Sequence, residues 1–103
     1  MKLLINKKLY DTHTADLIHS WSNGIYGNDF RFCEESLYLT KKGAWFLVGE
    51  GGPKSKYARS CDSSMTGGRE LIVLTPEEAY LWLEDNGGIE AIEKYFPQEI
   101  EAA

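Results

Sequence analysis

The most reactive side chains in this sequence are two cysteines and two histidines. A thiol nucleophile would need Cys33 or Cys61 with His13 or His19 as its base. A metal site would need the same cysteines and histidines as ligands. The spacing contains no Cys-x-x-Cys or His-x-x-x-His group. The acids Glu34-Glu35 beside Cys33 would raise the pKa of its thiol rather than lower it.

These residues therefore predict no metal site, no cofactor and no enzyme, and they leave open whether Cys33 or Cys61 is reactive. Cys33 is expected to be a small buried side chain in a strand. In that strand Glu34 and Glu35 would point to opposite faces, so they would not form a catalytic pair of acids.

A second group of side chains has the types that contact phosphates and bases. Between residues 41 and 69 the basic residues outnumber the acidic ones by six to two, and Trp45 and Tyr57 lie among them. The six basic residues are Lys41, Lys42, Lys54, Lys56, Arg59 and Arg69. Cations that neutralise phosphates, combined with aromatic rings that stack on bases, are typical of nucleic-acid binding.

Direct binding of a nucleic acid or nucleotide through residues 41–69 is nevertheless the alternative interpretation. The chain has a net charge of −5 and a pI near 5.0, whereas nucleic-acid-binding domains usually have a pI above about 9. The same region is also suited to binding a protein. Its predicted contacts are Glu50, Lys54, Lys56, Tyr57 and Arg59. Aromatic and arginine side chains dominate most interfaces, so Tyr57 and Arg59 are expected to matter most.

The charge is distributed unevenly along the chain. Residues 1–69 contain ten basic and seven acidic residues (net +3), and residues 70–103 contain nine acidic residues and only Lys94 (net −8). Helices carrying these acids would present negative charge to a protein surface that normally holds DNA or RNA phosphates. The alternative is an ordinary solvated helix face. The predicted contacts here are Glu77, Glu78, Glu84 and Asp85.

A β-hairpin over residues 36–48 is expected to position the basic region. The break Lys41-Lys42-Gly43 supplies a glycine for a positive-φ position. The four consecutive apolar residues 45–48 indicate a central strand that is covered on both faces or meets a partner. After it, residues 49–68 contain five glycines and predict a long binding loop, in which residues 53–58 form one helical turn.

The remaining patterns predict further strands and two helices. Strands are expected over residues 2–5 and 8–12 around an Asn6-Lys7 turn, and over residues 71–74. A strand is also favoured over residues 15–21, where the helical spacing of Ala15, Ile18 and Ser22 leaves a helix as the alternative. Residues 24–29 predict a loop in which Ile25 and Tyr26 are exposed. This set of elements describes an antiparallel sheet whose connections are short turns and one long loop.

The sequence from Thr75 to Glu78 has the pattern of a capping box that starts a helix. That helix is expected to end near Asp85 before Asn86-Gly87, and a second helix is expected over residues 89–96. The fold class is therefore α+β: a mostly antiparallel sheet of about four to six strands with two acidic helices on one face. We expect one domain over residues 1–97 and a frayed tail over residues 98–103.

Several segments resemble short proteins carried by phages, plasmids and conjugative elements of Gram-positive gut bacteria. They are Tyr10-Asp11-Thr12, Trp21-Ser22-Asn23-Gly24, Thr40-Lys41-Lys42-Gly43, Gly49-Glu50-Gly51-Gly52 and Ser55-Lys56-Tyr57-Ala58. The resemblance extends from Leu9 to about Leu83 and brings no known site residue with it. It implies an anti-defence factor, such as an anti-CRISPR inhibitor, whose partner would be a host protein or ribonucleoprotein nuclease.

The location of the protein is predicted from its apolar segments. No apolar run approaches the ~20 residues needed to span a bilayer, and the apolar stretch after Lys2 is too short for a signal peptide. We therefore expect a cytoplasmic protein that does not bind membranes. The leading hypothesis from the sequence is a small non-enzymatic binding protein that inhibits a bacterial defence or nucleic-acid-processing complex.

Overall fold

The computed structural model describes residues 1–25 and 29–103. Eight strands and two α-helices lie in this part of the chain. They are β1 (Lys2–Ile5), β2 (Lys8–Asp11), β3 (Asp16–Ser22), β4 (Cys33–Leu39), β5 (Trp45–Gly51), β6 (Arg59–Cys61), β7 (Ser64–Thr66), β8 (Gly68–Leu74), α1 (Pro76–Asp85) and α2 (Ile89–Tyr95), followed by a 3-10 turn, Pro97–Glu99.

The central element is a four-stranded antiparallel sheet in the order β3-β4-β5-β8. Two separate hairpins, β1-β2 and β6-β7, accompany it. The predicted α+β class, with an antiparallel sheet and two helices at the C-terminal end, is confirmed. The expected division into a domain over residues 1–97 and a frayed tail over residues 98–103 stays a prediction. The 3-10 turn, Pro97–Glu99, crosses the boundary between the two.

Strand β5 is covered on both faces, which explains its unbroken run of apolar residues. Trp45 and Leu47 face α1 and α2, where they pack in a core with Leu37, Leu83 and Phe96. The alternate residues of β5 face the β1-β2 hairpin on the other side of the sheet. That second core contains Phe46, Val48, Leu71 and Tyr10. The molecule thus has three layers: hairpin, sheet and helices.

Local signals define several turns as the sequence predicted. Gly43 has a φ of 91° between β4 and β5, and Asn6 and Lys7 have φ values of 52° and 66° between β1 and β2. At α1, the Thr75 side chain accepts a hydrogen bond from the Glu78 N–H, and the Glu78 carboxylate accepts one from the Thr75 N–H. The capping box is therefore confirmed. Gly87, with a φ of 74°, follows the helix end.

The prediction of one long loop from residue 49 to residue 68 is wrong. Gly49 and Gly51 belong to β5 and pair with Glu70 and Gly68 of β8. Backbone pairing requires no side chain, so glycines can continue a strand when a neighbouring group lies too close for a Cβ. Residues 59–66 form the β6-β7 hairpin, which leaves residues 52–58 as the connection.

That connecting segment, residues 52–58, consists of turns and not of the predicted helical turn. The Ser55 N–H donates to the Gly52 carbonyl, and the Ala58 N–H donates to the Ser55 carbonyl. The sequence also predicted a loop over residues 24–29 in which Ile25 and Tyr26 are exposed. Ile25 is half-buried, and Tyr26 lies outside the described residues.

Candidate functional site

The connecting segment, residues 52–58, is folded against the sheet. The Gly52 N–H donates to the Phe32 carbonyl at 2.9 Å, and the Lys54 N–H donates to the Phe30 carbonyl at 2.7 Å. Tyr57, which was expected to project towards a partner, is only 6 % exposed. That expectation is wrong, because the Tyr57 hydroxyl has its own acceptor inside the protein.

The acceptor is Glu35, which is 3 % exposed and lies in the middle of β4. Its carboxylate accepts hydrogen bonds from the Tyr57 hydroxyl and from the Trp82 indole N–H, the latter at 3.0 Å. Lys56 places its ammonium 2.8 Å from the same carboxylate. We refer to Glu35, Lys56, Tyr57 and Trp82 as the Glu35 cluster. It joins the central sheet to both the connecting segment and α1.

The electrostatics of the Glu35 cluster favour fixed protonation states. Burial alone would raise the pKa of the Glu35 carboxyl, but hydrogen bonds from Lys56, Tyr57 and Trp82 outweigh it and hold this pKa below its usual range. Burial, with the hydrogen bond to Glu35, raises the pKa of the Tyr57 hydroxyl. Near neutral pH the pair is thus a carboxylate and a phenol, so its evident role is to hold the structure together.

Sequence reasoning missed the Glu35 cluster, although one signal was available. Glu35 alternates with Cys33 and Leu37 on one face of β4, and both of these neighbours are buried. A carboxylate in that position needs donors, because a buried charge without them is strongly destabilising. The pattern requires partners for Glu35, but it does not identify them.

The basic residues between 41 and 69 do not form one surface. Lys41 and Lys42 lie at the turn that joins β4 to β5, whereas Lys54 and Arg59 follow the opposite end of β5. Seven-residue strands separate the two ends by about 20 Å. The basic region predicted over residues 41–69 is therefore divided, because the strands carry its two parts to opposite ends of the sheet.

Intramolecular contacts also engage several of the cations. Lys41 lies 2.8 Å from Asp16, and Lys56 is bound to Glu35. Arg59 is exposed and donates a hydrogen bond to the Arg69 carbonyl at 2.9 Å. Lys54 is exposed as well. The sequence predicted four cationic or aromatic contacts over residues 54–59. Of these, Tyr57 is buried and Lys56 is paired with Glu35, whereas Lys54 and Arg59 are exposed and have no carboxylate partner among the described residues.

The predicted acidic helix surface is exposed. Eight carboxylate residues of the C-terminal region are exposed: Glu77, Glu78, Glu84, Asp85, Glu90, Glu93, Glu99 and Glu101. None of them forms an ion pair with another described residue. The acids that form ion pairs among the described residues are Asp11, Asp16, Asp29 and Glu35. Glu78 serves the capping box, and Glu84 accepts a hydrogen bond from the Tyr80 hydroxyl at 2.8 Å.

Glu50, another predicted contact, is half-buried in β5 on the sheet face opposite the helices. It pairs across the strands with Glu34 on one side and with Arg69 on the other. A hydrogen bond with Glu50, burial and the repulsion between the two carboxylates raise the pKa of Glu34. At neutral pH, two like charges therefore oppose each other in the folded state.

This pair predicts a pH-dependent effect of the substitution Glu34→Gln. Since the pKa of Glu34 is higher in the folded than in the unfolded protein, the folded state bears a repulsion above that pKa, and proton uptake relieves it as the pH falls. The substitution should raise the free energy of unfolding at pH 7 by roughly 0.5 kcal/mol. The gain should disappear below about pH 4.

Chemical denaturation at the two pH values measures this difference. Glu101→Gln removes the same charge from an exposed position in the C-terminal tail and serves as the matched control. A stabilisation by Glu34→Gln that is equal at both pH values, or equal to that of the control, would contradict the repulsion between Glu34 and Glu50.

The cysteines and histidines do not assemble into a reactive centre in the part of the chain that is described. Cys33 is buried, as predicted, and burial raises the pKa of its thiol. Cys61 is exposed in β6. His19 donates from Nε2 to the Asn86 carbonyl at 2.8 Å. Among residues 1–25 and 29–103, no three potential metal-binding side chains lie close enough together to hold an ion.

Comparison of the chain with protein-family models, with curated proteins and with solved structures finds no match. The described residues include no helix of the length and apolar character needed to cross a membrane. The function must therefore be argued from the surfaces of the molecule itself.

Proposed function

We propose that this protein is a small non-enzymatic inhibitor that occupies the surface of a bacterial defence or nucleic-acid-processing complex, in the manner of an anti-CRISPR protein. The observation that carries the proposal is the uncompensated negative charge of the helical layer. Residues 75–103 contain eight exposed acidic residues and one lysine, Lys94, which gives a net charge of −7.

The shape of the molecule supports a role in binding. Its dimensions are 49 × 38 × 19 Å, and its radius of gyration is 15.1 Å. A compact chain of this length would have a radius near 13 Å. Its accessible surface is 7109 Å², compared with roughly 5,900 Å² for a typical monomer of this mass. The protein is thus a thin plate that offers a large surface to a partner.

The charge indicates which partner would fit that surface. Carboxylates that lack neighbouring cations repel one another, and a positively charged groove would relieve this repulsion on binding. Proteins that bind DNA or RNA have such grooves, because they must neutralise phosphates. The acidic helices would compete with the nucleic acid for that surface. Tyr57, which the sequence predicted as a contact with the partner, is not part of this proposal, because its side chain is buried.

The test is inhibition of DNA cleavage by RNA-guided nucleases from Gram-positive bacteria, each loaded with its guide RNA. Wild-type protein should inhibit at least one of them. The double variant Glu84→Gln/Asp85→Asn should raise the inhibitory concentration by about tenfold, which corresponds to about 1.4 kcal/mol of binding energy. Both side chains are exposed, and the amide oxygen introduced by Glu84→Gln can still accept the Tyr80 hydrogen bond, so the fold should be unaffected.

A matched control removes two exposed charges elsewhere, in Asp62→Asn/Glu70→Gln. This variant has the same net charge as the helix variant and should inhibit like the wild type. Equal loss in both variants would mean that only the total charge matters. Absence of inhibition across the nuclease panel would refute the proposal for this class of partner.

The alternative, direct nucleic-acid binding, is favoured by one surface feature. Phe30 is 62 % exposed and lines a shallow cavity with Asp29, Arg31 and Lys54. An exposed ring beside cations is suited to stacking on a base, although Asp29 already forms an ion pair with Arg31 at 3.1 Å. Gel shifts with single-stranded and duplex probes at two salt concentrations separate the candidates.

Direct binding predicts a shift that weakens steeply with salt and disappears in Phe30→Ala and in Lys54→Glu/Arg59→Glu. The inhibitor hypothesis predicts no shift for the wild-type protein. It also predicts that these three substitutions leave nuclease inhibition unchanged.

A further inference from the structure

A cavity of about 380 Å³ lies between the first half of α1 and the C-terminal 3-10 turn. It is lined by Pro76, Glu77, Tyr80, Leu81, Phe96, Gln98 and Glu99. All of these residues belong to the acidic helical layer on which the proposed function depends. The cavity combines an aromatic wall with carboxylates at the same site.

The aromatic part of the cavity is held rigidly in place. The ring of Phe96 stacks on Trp45 at a centroid distance of 5.3 Å and meets the edge of Tyr80 at 5.7 Å. The Tyr80 hydroxyl is fixed in turn by its hydrogen bond to Glu84. Leu81 is 56 % exposed and lies at the rim. The apolar surface is therefore formed before any ligand arrives.

The charge of the cavity has one sign. Glu77 and Glu99 both line it and are exposed, and the lining residues, all within the described part of the chain, include no basic side chain. Glu84 adds a third carboxylate next to the Tyr80 hydroxyl. A ligand that fits this site must carry positive charge on a body that is apolar or flat.

We propose that the cavity receives an arginine side chain from the basic surface of the partner. This inference rests on the proposed function and makes it more specific, since it locates one anchor of the complex. The guanidinium would lie against the Tyr80 ring and bind Glu77 and Glu99, while its methylene groups contact Leu81. Arginine is among the side chains that most often dominate interface energies.

Arginine fits the cavity better than lysine for two physical reasons. Its guanidinium is planar and weakly hydrated, so it stacks on an aromatic ring at a lower desolvation cost than an ammonium. It also presents several N–H groups in one plane, which allows simultaneous bonds to two carboxylates. A nucleic acid is excluded from this site by its own negative charge.

The experiment titrates the full-length, isotope-labelled protein with N-acetyl-arginine methylamide and follows the backbone amides by NMR. We expect saturable shifts at residues 77–81, 96, 98 and 99, with a dissociation constant on the order of 1 mM for so small a ligand. The citrulline analogue has the same shape without the charge and should cause no shifts. The lysine analogue should bind several-fold more weakly.

Two double variants with the same net charge test the location. Glu77→Gln/Glu99→Gln should weaken arginine binding roughly fivefold or more, because it removes both carboxylates of the cavity. Glu90→Gln/Glu93→Gln removes two exposed charges from α2 and should change binding by less than about twofold. Shifts spread over all the helical carboxylates, equal losses in both variants, or no binding would overturn the inference.

The outcome is distinguishable from that of the proposed function. If Glu77→Gln/Glu99→Gln inhibits a nuclease as well as the wild type does, the arginine site is wrong and the inhibitor function stands. If arginine binds in the cavity but no nuclease is inhibited, the site stands and the proposed partner class is wrong.

Discussion

The substitution Glu35→Ala is expected to lower the free energy of unfolding by about 3 kcal/mol. It removes the common acceptor of the Glu35 cluster, so the buried Tyr57 hydroxyl and the Trp82 indole N–H lose their hydrogen-bond partner. Each unsatisfied buried donor costs about 1–3 kcal/mol. The lost ion pair with Lys56 adds little, because Lys56 is exposed and its ammonium stays solvated. Urea denaturation monitored by tryptophan fluorescence measures the change.

The adjacent substitution Glu34→Ala is the matched control. It removes the same side chain one position away, on the opposite face of β4, where Glu34 opposes Glu50. Its effect should lie within about 0.5 kcal/mol of zero. A loss for Glu35→Ala no larger than that of the control would show that the cluster does not stabilise the fold.

Glu35→Ala also separates the two predicted binding surfaces. It should loosen the connecting segment that carries Lys54, because Tyr57 and Lys56 are fixed there through Glu35. The exposed carboxylates of the helices are unchanged by the substitution. Below its unfolding transition, the variant should therefore retain nuclease inhibition if the helices form the contact.

The substitution Gly49→Ala is expected to cost about 3 kcal/mol of unfolding free energy. A Cβ at this position would overlap the ring of Tyr57, which lies directly over the backbone of β5. The ring cannot move aside easily, because its hydroxyl is bound to the buried Glu35. Added atoms in a filled interior usually cost about 1–3 kcal/mol, and here the obstruction involves a ring with little freedom. Thermal or urea unfolding provides the measurement.

A double-mutant cycle tests whether the Tyr57 ring is the cause. In a Tyr57→Ala background the added methyl group meets open space, so Gly49→Ala should cost at least about 1 kcal/mol less than it does alone. Gly87→Ala is a second comparison, since Gly87 has a φ of 74° and no neighbour near its missing Cβ. That variant should lose about 1 kcal/mol through backbone strain alone. Additive effects at residues 49 and 57 would refute the steric explanation.

Much of the architecture was predictable because its signals are local. The turn at Gly43, the capping box of Thr75 and Glu78 and the end of α1 before Gly87 each depend on residues within a few positions of one another. The run Trp45 to Val48 indicated a strand covered on both faces, which the helices and the β1-β2 hairpin provide. The exposure of the acidic helix residues also followed from composition and capping.

The location of the binding surfaces was less predictable. Glycines 49 and 51 indicated a loop, yet both extend β5. They are glycines because Tyr57 and Ser55 approach the strand too closely for a Cβ at these positions. Tyr57 was expected outside because it stands among cations in the sequence. The cavity beside Tyr80 was not anticipated, since it forms only where α1 meets the segment after α2.

The sequence by itself therefore determined the order of the elements, the caps and turns that bound them and the net charge of the helical layer. Only the tertiary structure decided that Tyr57 is an interior residue and that the basic region is divided between two ends of the sheet. The reason lies in distance along the chain. Glu35 meets Tyr57 across 22 positions and Trp82 across 47, and no local pattern encodes which distant donors a buried carboxylate will find.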